Sequence, residues 1–138
     1  MIIEPVINGV VARTAHPLGC EQAVLQQINY VKQAKPITDG PKRVLIIGGS
    51  SGFGLAARTA LTFGGAKADT ISVSYERGPS DKGTGSAGYY NNLFFKKYAE
   101  QEGRIAVNIQ GDAFSRQRKE EVVEAIETYF EGEVDLII

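Results

Sequence analysis

Apolar residues along this chain fall into short strand-like runs separated by longer segments with helical periodicity. Four stretches show the apolar runs or the alternation of apolar and polar positions typical of strands: 44–47, 71–75, 105–109 and 134–138. Three segments between them repeat apolar residues every three or four positions, as helices do: 55–63, 90–98 and 122–130. Strands that alternate with helices predict right-handed crossovers and an α/β fold with a Rossmann-like, doubly wound parallel sheet.

The amino-terminal part of the chain predicts an addition to this sheet. A β-hairpin is predicted over 2–12 with Asn8-Gly9 as its turn, and an amphipathic helix over 17–34. A Gly-Pro break then divides the chain in two. We expect residues 1–40 to form a hairpin and helix packed on the core, and residues 41–138 to hold the parallel sheet.

The first predicted strand of the sheet leads directly into a glycine turn. Gly48, Gly52 and Gly54 give the spacing GxxxGxG before a predicted helix, where free N–H groups and the positive helix end favour a pyrophosphate. An acid, Glu76, lies at the end of the next strand, 22 positions after Gly54, as in dinucleotide-binding βαβ units. The combination predicts a dinucleotide site. The alternative is a tight strand-to-helix turn without a ligand.

Glu76 also predicts which dinucleotide is bound. Its carboxylate would accept hydrogen bonds from the ribose hydroxyls and repel a 2′-phosphate, which predicts NADH over NADPH. The adjacent Arg77 weakens this preference because a guanidinium pairs with phosphate, and the alternative for Glu76 is a solvated acid at a strand end. Asp112, just past the third strand, is predicted either to accept a hydrogen bond from adenine or to act only as a helix cap.

Composition and charge narrow the function classes. The 138 residues carry 15 Lys and Arg against 16 Asp and Glu, and this near-neutral balance without a sustained basic block argues against a nucleic-acid surface. No apolar run reaches the roughly 18 residues of a membrane span. The amino end lacks a secretory signal, so we expect a cytoplasmic protein. His16 and Cys20, the single His and the single Cys, are too few for a structural metal site.

The carboxyl end of the chain lies inside an apolar run. No helix follows to cover residues 136–138, and an open apolar edge strand promotes aggregation. We therefore expect a sheet truncated after its fourth strand, in the amino-terminal piece of a longer natural chain. The alternative is an oligomeric partner that covers this edge.

Five segments of the sequence carry a family resemblance: Thr14–Glu21 (TAHPLGCE), Gly40–Leu45 (GPKRVL), Gly52–Arg58 (GFGLAAR), Tyr75–Arg77 (YER) and Gly111–Ser115 (GDAFS). Together they resemble the FabV-type trans-2-enoyl-CoA (enoyl-acyl carrier protein) reductases. The resemblance covers the whole chain, which corresponds to an amino-terminal portion of that family. It implies a cytoplasmic, monomeric enzyme of fatty acid synthesis, related to the short-chain dehydrogenases. Such an enzyme uses NADH to saturate the double bond of an enoyl-CoA or enoyl-acyl carrier protein thioester.

Carried over by position, the resemblance also implies the residues that contact the cofactor: Gly48, Gly49, Ser50, Ser51, Gly52 and Phe53 at the pyrophosphate, Tyr75 and Glu76 at the ribose, and Asp112 and Ala113 at the adenine. Phe53 stands where relatives often have Tyr, so a hydroxyl group is lost. Recognition of the cofactor by the backbone should survive this change. The family's catalytic Tyr and Lys would lie beyond Ile138, so no catalytic residue is assigned in this chain. The residues alone leave two alternative functions open. One is a non-catalytic NAD-binding module, and the other is an oxidoreductase that acts on a carbonyl substrate.

Overall fold

The computed structural model of this chain describes residues 2–4, 6–9, 11–12, 14–81 and 83–138. Strands and helices follow one another in the order β1 (Ile7–Asn8), β2 (Val11–Ala12), α1 (Pro17–Gln33), β3 (Arg43–Ile47), α2 (Gly52–Phe63), β4 (Asp69–Ser74), α3 (Ala87–Gln101), β5 (Ala106–Gln110), α4 (Arg116–Phe130) and β6 (Leu136–Ile137). Within the described residues, no helix has the length and apolarity to cross a bilayer.

The last four strands form one parallel sheet in the order β5-β4-β3-β6. Counted along the chain this order is 3-2-1-4, which begins the doubly wound arrangement. α2 and α3 cover one face of the sheet, and α4 covers the other because its crossover returns past β4 and β3 to β6. The predicted Rossmann-like parallel sheet is therefore confirmed.

Three apolar clusters hold these layers together. On one face of the sheet, α1 lies outside α2 and α3, and the three helices share a cluster: Val24, Ile28, Leu55, Phe63, Phe95, Ala99 and Ala106. A smaller cluster of Val44, Ile46 and Ala68 packs with Leu61 of α2. On the other face, α4 packs on side chains of β3, β4 and β5 in a third cluster: Leu45, Ile71, Val73, Ile109, Ala125 and Phe130. β6 pairs with β3 over Leu136 and Ile137, and its side chains are exposed. The division at residue 40 stays a prediction.

The environment of β4 differs from the one that is typical of its sequence pattern. Its alternation of polar and apolar residues is typical of a strand with one solvated face, yet both of its faces are buried. Thr70, Ser72 and Ser74 lie beneath α2 and α3 and are at most 3% exposed. These hydroxyl groups are accommodated because they belong to a buried hydrogen-bond network, which the apolar pattern does not reveal.

The buried faces of two helices also differ from the predicted ones. Leu93 of α3 and Val123 of α4 fit the apolar period but are 48% and 59% exposed. The inner face of α3 carries Phe95 together with a small residue, Gly88, and a polar one, Asn92. Helical periodicity predicted the positions of these helices correctly. It predicted a slightly rotated buried face for each, because polar and small residues contribute no apolar signal.

The amino-terminal hairpin and helix form as predicted, with shifted ends. In the hairpin Asn8 pairs with Val11, so Asn8 belongs to β1 and the turn falls one residue later, with Gly9 at φ +62°. Val10, the next residue in the sequence, is outside the described residues. α1 begins at Pro17, and its cap is His16, whose Nδ1 accepts a hydrogen bond from the Gly19 amide at 3.3 Å.

Candidate functional site

The glycine turn between β3 and α2 exposes its backbone at two positions. Gly48 has φ +91° and Gly52 has φ +53°, a conformation that L side chains rarely adopt. Within the described part of the chain, apart from the two adjoining residues and, for Gly52, the nearby backbone of α2, no heavy atom lies within 4 Å of the place where a Cβ would stand on either residue. Both glycines therefore leave space in which a ligand can approach the main chain.

Two other glycines bring the helix and the sheet close to this turn. A Cβ on Gly54 would overlap the carbonyl oxygen of Gly48, and a Cβ on Gly49 would overlap Ser72 Oγ. The same Cβ on Gly49 would stand 3.1 Å from the Cγ2 atom of Ile46. These glycines allow α2 to start directly above the end of β3, which is the arrangement of a dinucleotide turn.

The amino-terminal end of α2 presents free N–H groups at the same place. Ser51 occupies the cap position, and among the described residues its side chain makes no cap bond to the helix. The amides of the first helical turn have no acceptor inside the helix, and the helix dipole adds partial positive charge there. Ser51 is exposed, and Phe53 in this turn is 97% exposed. The turn can hold an anionic group such as a pyrophosphate.

The residues that follow β4 lie at the same edge of the sheet. Tyr75 is 84% exposed, whereas the side chain of Glu76 is half-buried and turned toward the glycine turn. The Glu76 carboxylate accepts a hydrogen bond from Ser50 Oγ at 2.6 Å and another from Ser86 Oγ. Sequence reasoning placed Ser50 at the pyrophosphate, but its side chain is buried and bonded to Glu76.

The loop after β5 completes this edge. The Gly111 amide donates to Ser74 O at 3.0 Å, and Gln110 Nε2 donates to Glu76 O at 2.7 Å, so the two loops are joined. Asp112 Oδ1 accepts the Phe114 amide at 2.9 Å, a local turn contact of the kind expected from an Asp before a helix. Ala113 is half-buried against the cluster beneath α4.

A buried arginine beneath this edge was missed by sequence reasoning. Arg58 of α2 is fully buried, and its guanidinium donates to Thr70 Oγ1, Asn92 Oδ1, Asn108 Oδ1 and the Val107 carbonyl oxygen at 2.8–3.2 Å. The guanidinium carbon lies 4.2 Å from the ring centre of Phe95. Burial lowers the pKa of Arg58 to about 9, so the group remains charged at neutral pH. The sequence signal that could have revealed it is an arginine on the inner face of the predicted helix.

This arginine is connected to the candidate site through α3. Asn92, which accepts from Arg58, contacts Ser74 Oγ at 3.4 Å, and the Ser74 carbonyl accepts the amides of both Glu76 and Gly111. The neighbouring Asn91 donates from Nδ2 to the Ser50 carbonyl at 3.0 Å. Hydrogen bonds from α2 and α3 thus fix the ends of β4 and β5 and the glycine turn.

Other chemical groups of the chain have structural partners. His16 caps α1, and burial raises the pKa of the Cys20 thiol, which makes it a poor nucleophile. Tyr90 OH accepts the Gly85 amide at 3.0 Å, and Tyr98 OH donates to Glu21 at 3.0 Å. In the described ranges, no group of three or more His, Cys, Asp or Glu could hold a metal ion.

Comparison with known proteins agrees with this geometry. The family model for the NAD(P)H binding domain of trans-2-enoyl-CoA reductase matches residues 2–81, and the model for the catalytic region of the same enzymes matches residues 83–138. The chain belongs to the trans-2-enoyl-CoA reductase family. It is 77% identical over 138 residues to an enoyl-[acyl-carrier-protein] reductase [NADH] of Vibrio cholerae, covering all of this chain and 34% of the relative. It is 57% identical to a trans-2-enoyl-CoA reductase [NADH] of Clostridium beijerinckii, with the same coverage.

Solved structures of this family have the same fold. The structure of a trans-2-enoyl-CoA reductase of Clostridium acetobutylicum in complex with NADH superposes with a TM-score of 0.92 at 47% identity, over 99% of this chain and 34% of that one. A Treponema denticola trans-2-enoyl-CoA reductase in complex with NAD gives a TM-score of 0.86 at 40% identity, over 99% of this chain and 35% of that one. The chain spans about a third of the length of the reductases it matches.

Proposed function

We propose that this chain binds the adenosine and pyrophosphate part of NADH in an enoyl thioester reductase. The observation that carries the proposal is the meeting of an open glycine turn with a fixed acid at one sheet edge, where Ser50 Oγ lies 2.6 Å from the Glu76 carboxylate. A dinucleotide needs two contacts: a helix start for its pyrophosphate and an acid for its ribose. The names of the relatives and of the matching structures support NADH as that dinucleotide.

Each part of the cofactor would meet a different segment. The pyrophosphate would lie on the turn from Gly48 to Phe53, where the main chain is exposed. Tyr75 and Glu76 would contact the ribose, with the carboxylate accepting its hydroxyl groups. The loop with Asp112 and Ala113 would lie beside the adenine. The Asp112 carboxylate already accepts the Phe114 amide through Oδ1, so its other oxygen is the atom that would face the base.

The reaction that we propose for the intact protein is the reduction of the carbon–carbon double bond of an enoyl-CoA or enoyl-acyl carrier protein. When bound, NADH would supply the hydride for this reduction. The residues of this chain hold and orient the cofactor, and a proton donor beyond Ile138 would complete the reaction. We therefore expect the isolated 138 residues to show no turnover with crotonyl-CoA.

We further propose that the intact enzyme acts in fatty acid biosynthesis as a cytoplasmic monomer. These proposals rest on the family resemblance, and the acyl-carrier-protein substrate in the relatives' names supports the first. Sedimentation of the intact protein measures its mass in solution. A dimer would contradict the proposed monomer without affecting the proposed cofactor site.

A pair of glycine variants tests the proposed site. Gly48 and Gly103 both have positive φ and open space at the Cβ position, so Gly48→Ala and Gly103→Ala both introduce backbone strain without a steric clash. We expect Gly48→Ala to weaken NADH binding on the order of tenfold or more, because its methyl group enters the ligand's space. Gly103→Ala, beyond the end of α3, should bind normally.

The measurements are titration calorimetry with NADH and turnover with crotonyl-CoA in the intact protein. Equal affinity of the two variants would contradict the placement of the pyrophosphate. Tight NADH binding without turnover would favour a non-catalytic NAD-binding module over a reductase.

A further inference from the structure

The acid that faces the ribose has a partner for every polar group it carries. The Glu76 amide donates to Ser74 O at 3.1 Å, and its carbonyl accepts from Gln110 Nε2 at 2.7 Å. Its two carboxylate oxygens accept one hydroxyl each, from Ser50 and from Ser86. A carboxylate held at both oxygens cannot rotate without breaking a charge-assisted hydrogen bond.

Ser86 uses its hydroxyl for contacts outside the helix that it precedes. It occupies the cap position of α3 with an extended backbone, yet among the described residues its hydroxyl makes no cap bond to that helix. The hydroxyl instead donates to Glu76 and accepts the Arg77 amide at 3.1 Å. Ser115 at the start of α4 has the same position and does cap, accepting the Arg118 amide at 3.3 Å. Ser86 thus gives up helix capping in order to hold the acid.

A glycine provides the space that this arrangement requires. A Cβ on Gly88, in the first turn of α3, would overlap the carboxylate of Glu76. The acid is therefore confined between the glycine turn, which supplies Ser50, and the start of α3, which supplies Ser86 and Gly88. We call Ser50, Ser86 and Gly88 the Glu76 clamp.

We propose that the Glu76 clamp sets the preference for NADH over NADPH, an inference that rests on the proposed cofactor site. Each carboxylate oxygen has about two acceptor positions, so one hydroxyl on each leaves capacity for the ribose hydroxyls. A 2′-phosphate would meet a negative charge that cannot move away. Without the clamp the carboxylate can rotate, and the exposed side chain of Arg77 can then pair with the phosphate.

Single and double variants of the clamp test this proposal in the intact protein. The quantity measured is the ratio of the dissociation constants for NADPH and NADH, from calorimetry. We expect Ser86→Ala to lower this ratio on the order of tenfold, and the double variant with Ser50→Ala to lower it further. Ser86→Thr keeps the donor and should keep the ratio.

Thr84→Val provides the matched control in the same loop. The Thr84 hydroxyl accepts the Ala15 amide at 3.3 Å, away from Glu76, so its loss should leave the ratio unchanged. If Ser86→Ala and the double variant keep the parent ratio while NADH still binds, the clamp does not set specificity. If the parent protein binds neither cofactor, the proposed function itself fails, which is a different outcome.

Discussion

The two faces of β4, inside the parallel sheet, are equally buried and chemically different. The face under α4 is apolar, with Ile71 and Val73 of β4 packed against Phe130. The face under α2 and α3 carries Thr70, Ser72 and Ser74 of the same strand beside a fully buried arginine. One strand therefore contributes alternate side chains to an apolar core and to a polar network.

This difference gives the two faces different roles, one in the stability of the fold and one in the positioning of polar atoms. Apolar packing is non-directional, so the face under α4 stabilises the fold without specifying where any one polar atom lies. Hydrogen bonds have preferred angles, and the network of Arg58 continues through Asn92 to Ser74, whose carbonyl holds the amides of Glu76 and Gly111. The polar network is therefore bonded directly to the candidate site, whereas the apolar cluster under α4 meets it only at the half-buried Ala113.

The largest effect on stability is expected on the apolar face. Phe130→Ala should lower the free energy of unfolding by about 3–5 kcal/mol, because it leaves a cavity in a well-packed core. NADH affinity of the folded protein should not change, since Phe130 lies away from the network. Urea denaturation and calorimetry measure the two quantities. A loss of affinity in folded Phe130→Ala would show that this face also positions the site.

On the polar face, Arg58→Lys is expected to cost about 1–3 kcal/mol. An ammonium has three donors, whereas the four acceptors around Arg58 come from different elements, so at least one of them would lose its partner. Unlike Phe130→Ala, this variant should also weaken NADH binding in the folded protein. Unchanged affinity would mean that the network stabilises the fold without positioning the site. The same denaturation and binding measurements decide between these outcomes.

A smaller effect is expected where two helix caps are compared. Ser115→Ala should destabilise the protein by about 1 kcal/mol because it removes a cap on α4. Ser86→Ala removes no cap from α3, and it removes instead the bonds of that hydroxyl to Glu76 and to the Arg77 amide. Its loss of stability should therefore shrink in a Glu76→Gln background, whereas the loss in Ser115→Ala should not. Thermal unfolding of these variants tests the contrast, and equal losses of Ser86→Ala in both backgrounds would contradict it.

The smallest effect concerns a charge that belongs to neither face. Asp135 accepts the amides of Arg43 and Lys42, each at 2.8 Å, and these bonds hold the pKa of its carboxyl below the usual value. A lowered native pKa adds stability above the unfolded value of about 4, and this stability is lost as the pH falls further. Asp135→Asn should therefore flatten the acid limb of a stability curve measured from pH 7 to pH 3. An unaltered acid limb would contradict this role.

The sequence revealed the fold well because apolar periodicity and glycines report backbone geometry. The runs at 44–47 and 105–109 became parallel strands, and the glycine turn lies where the spacing predicted it. The faces of α3 and α4 were less well predicted. Leu93 satisfied the period but points outward, because Asn92 and Gly88 take inner positions for polar and steric reasons that a hydrophobic pattern cannot show.

The candidate site was only partly visible in the sequence for a related reason. Glu76 was found because its distance from the glycine turn follows from the length of one βαβ unit. Ser86, Asn92 and Arg58 have no such fixed spacing, since their roles depend on which helix face turns inward. The contacts that these three residues make appear only once the helices are packed on the sheet.

The central position of β4 has a consequence for the dynamics of the whole domain. β4 is bonded along Asp69–Val73 to β3 and along Thr70–Ser74 to β5, with helices over both faces. Its amide hydrogens cannot reach water by fraying from an edge, because a paired strand lies on each side. Hydrogen exchange at Ile71 and Val73 therefore reports an opening inside the sheet, in which β4 separates from the strand beside it.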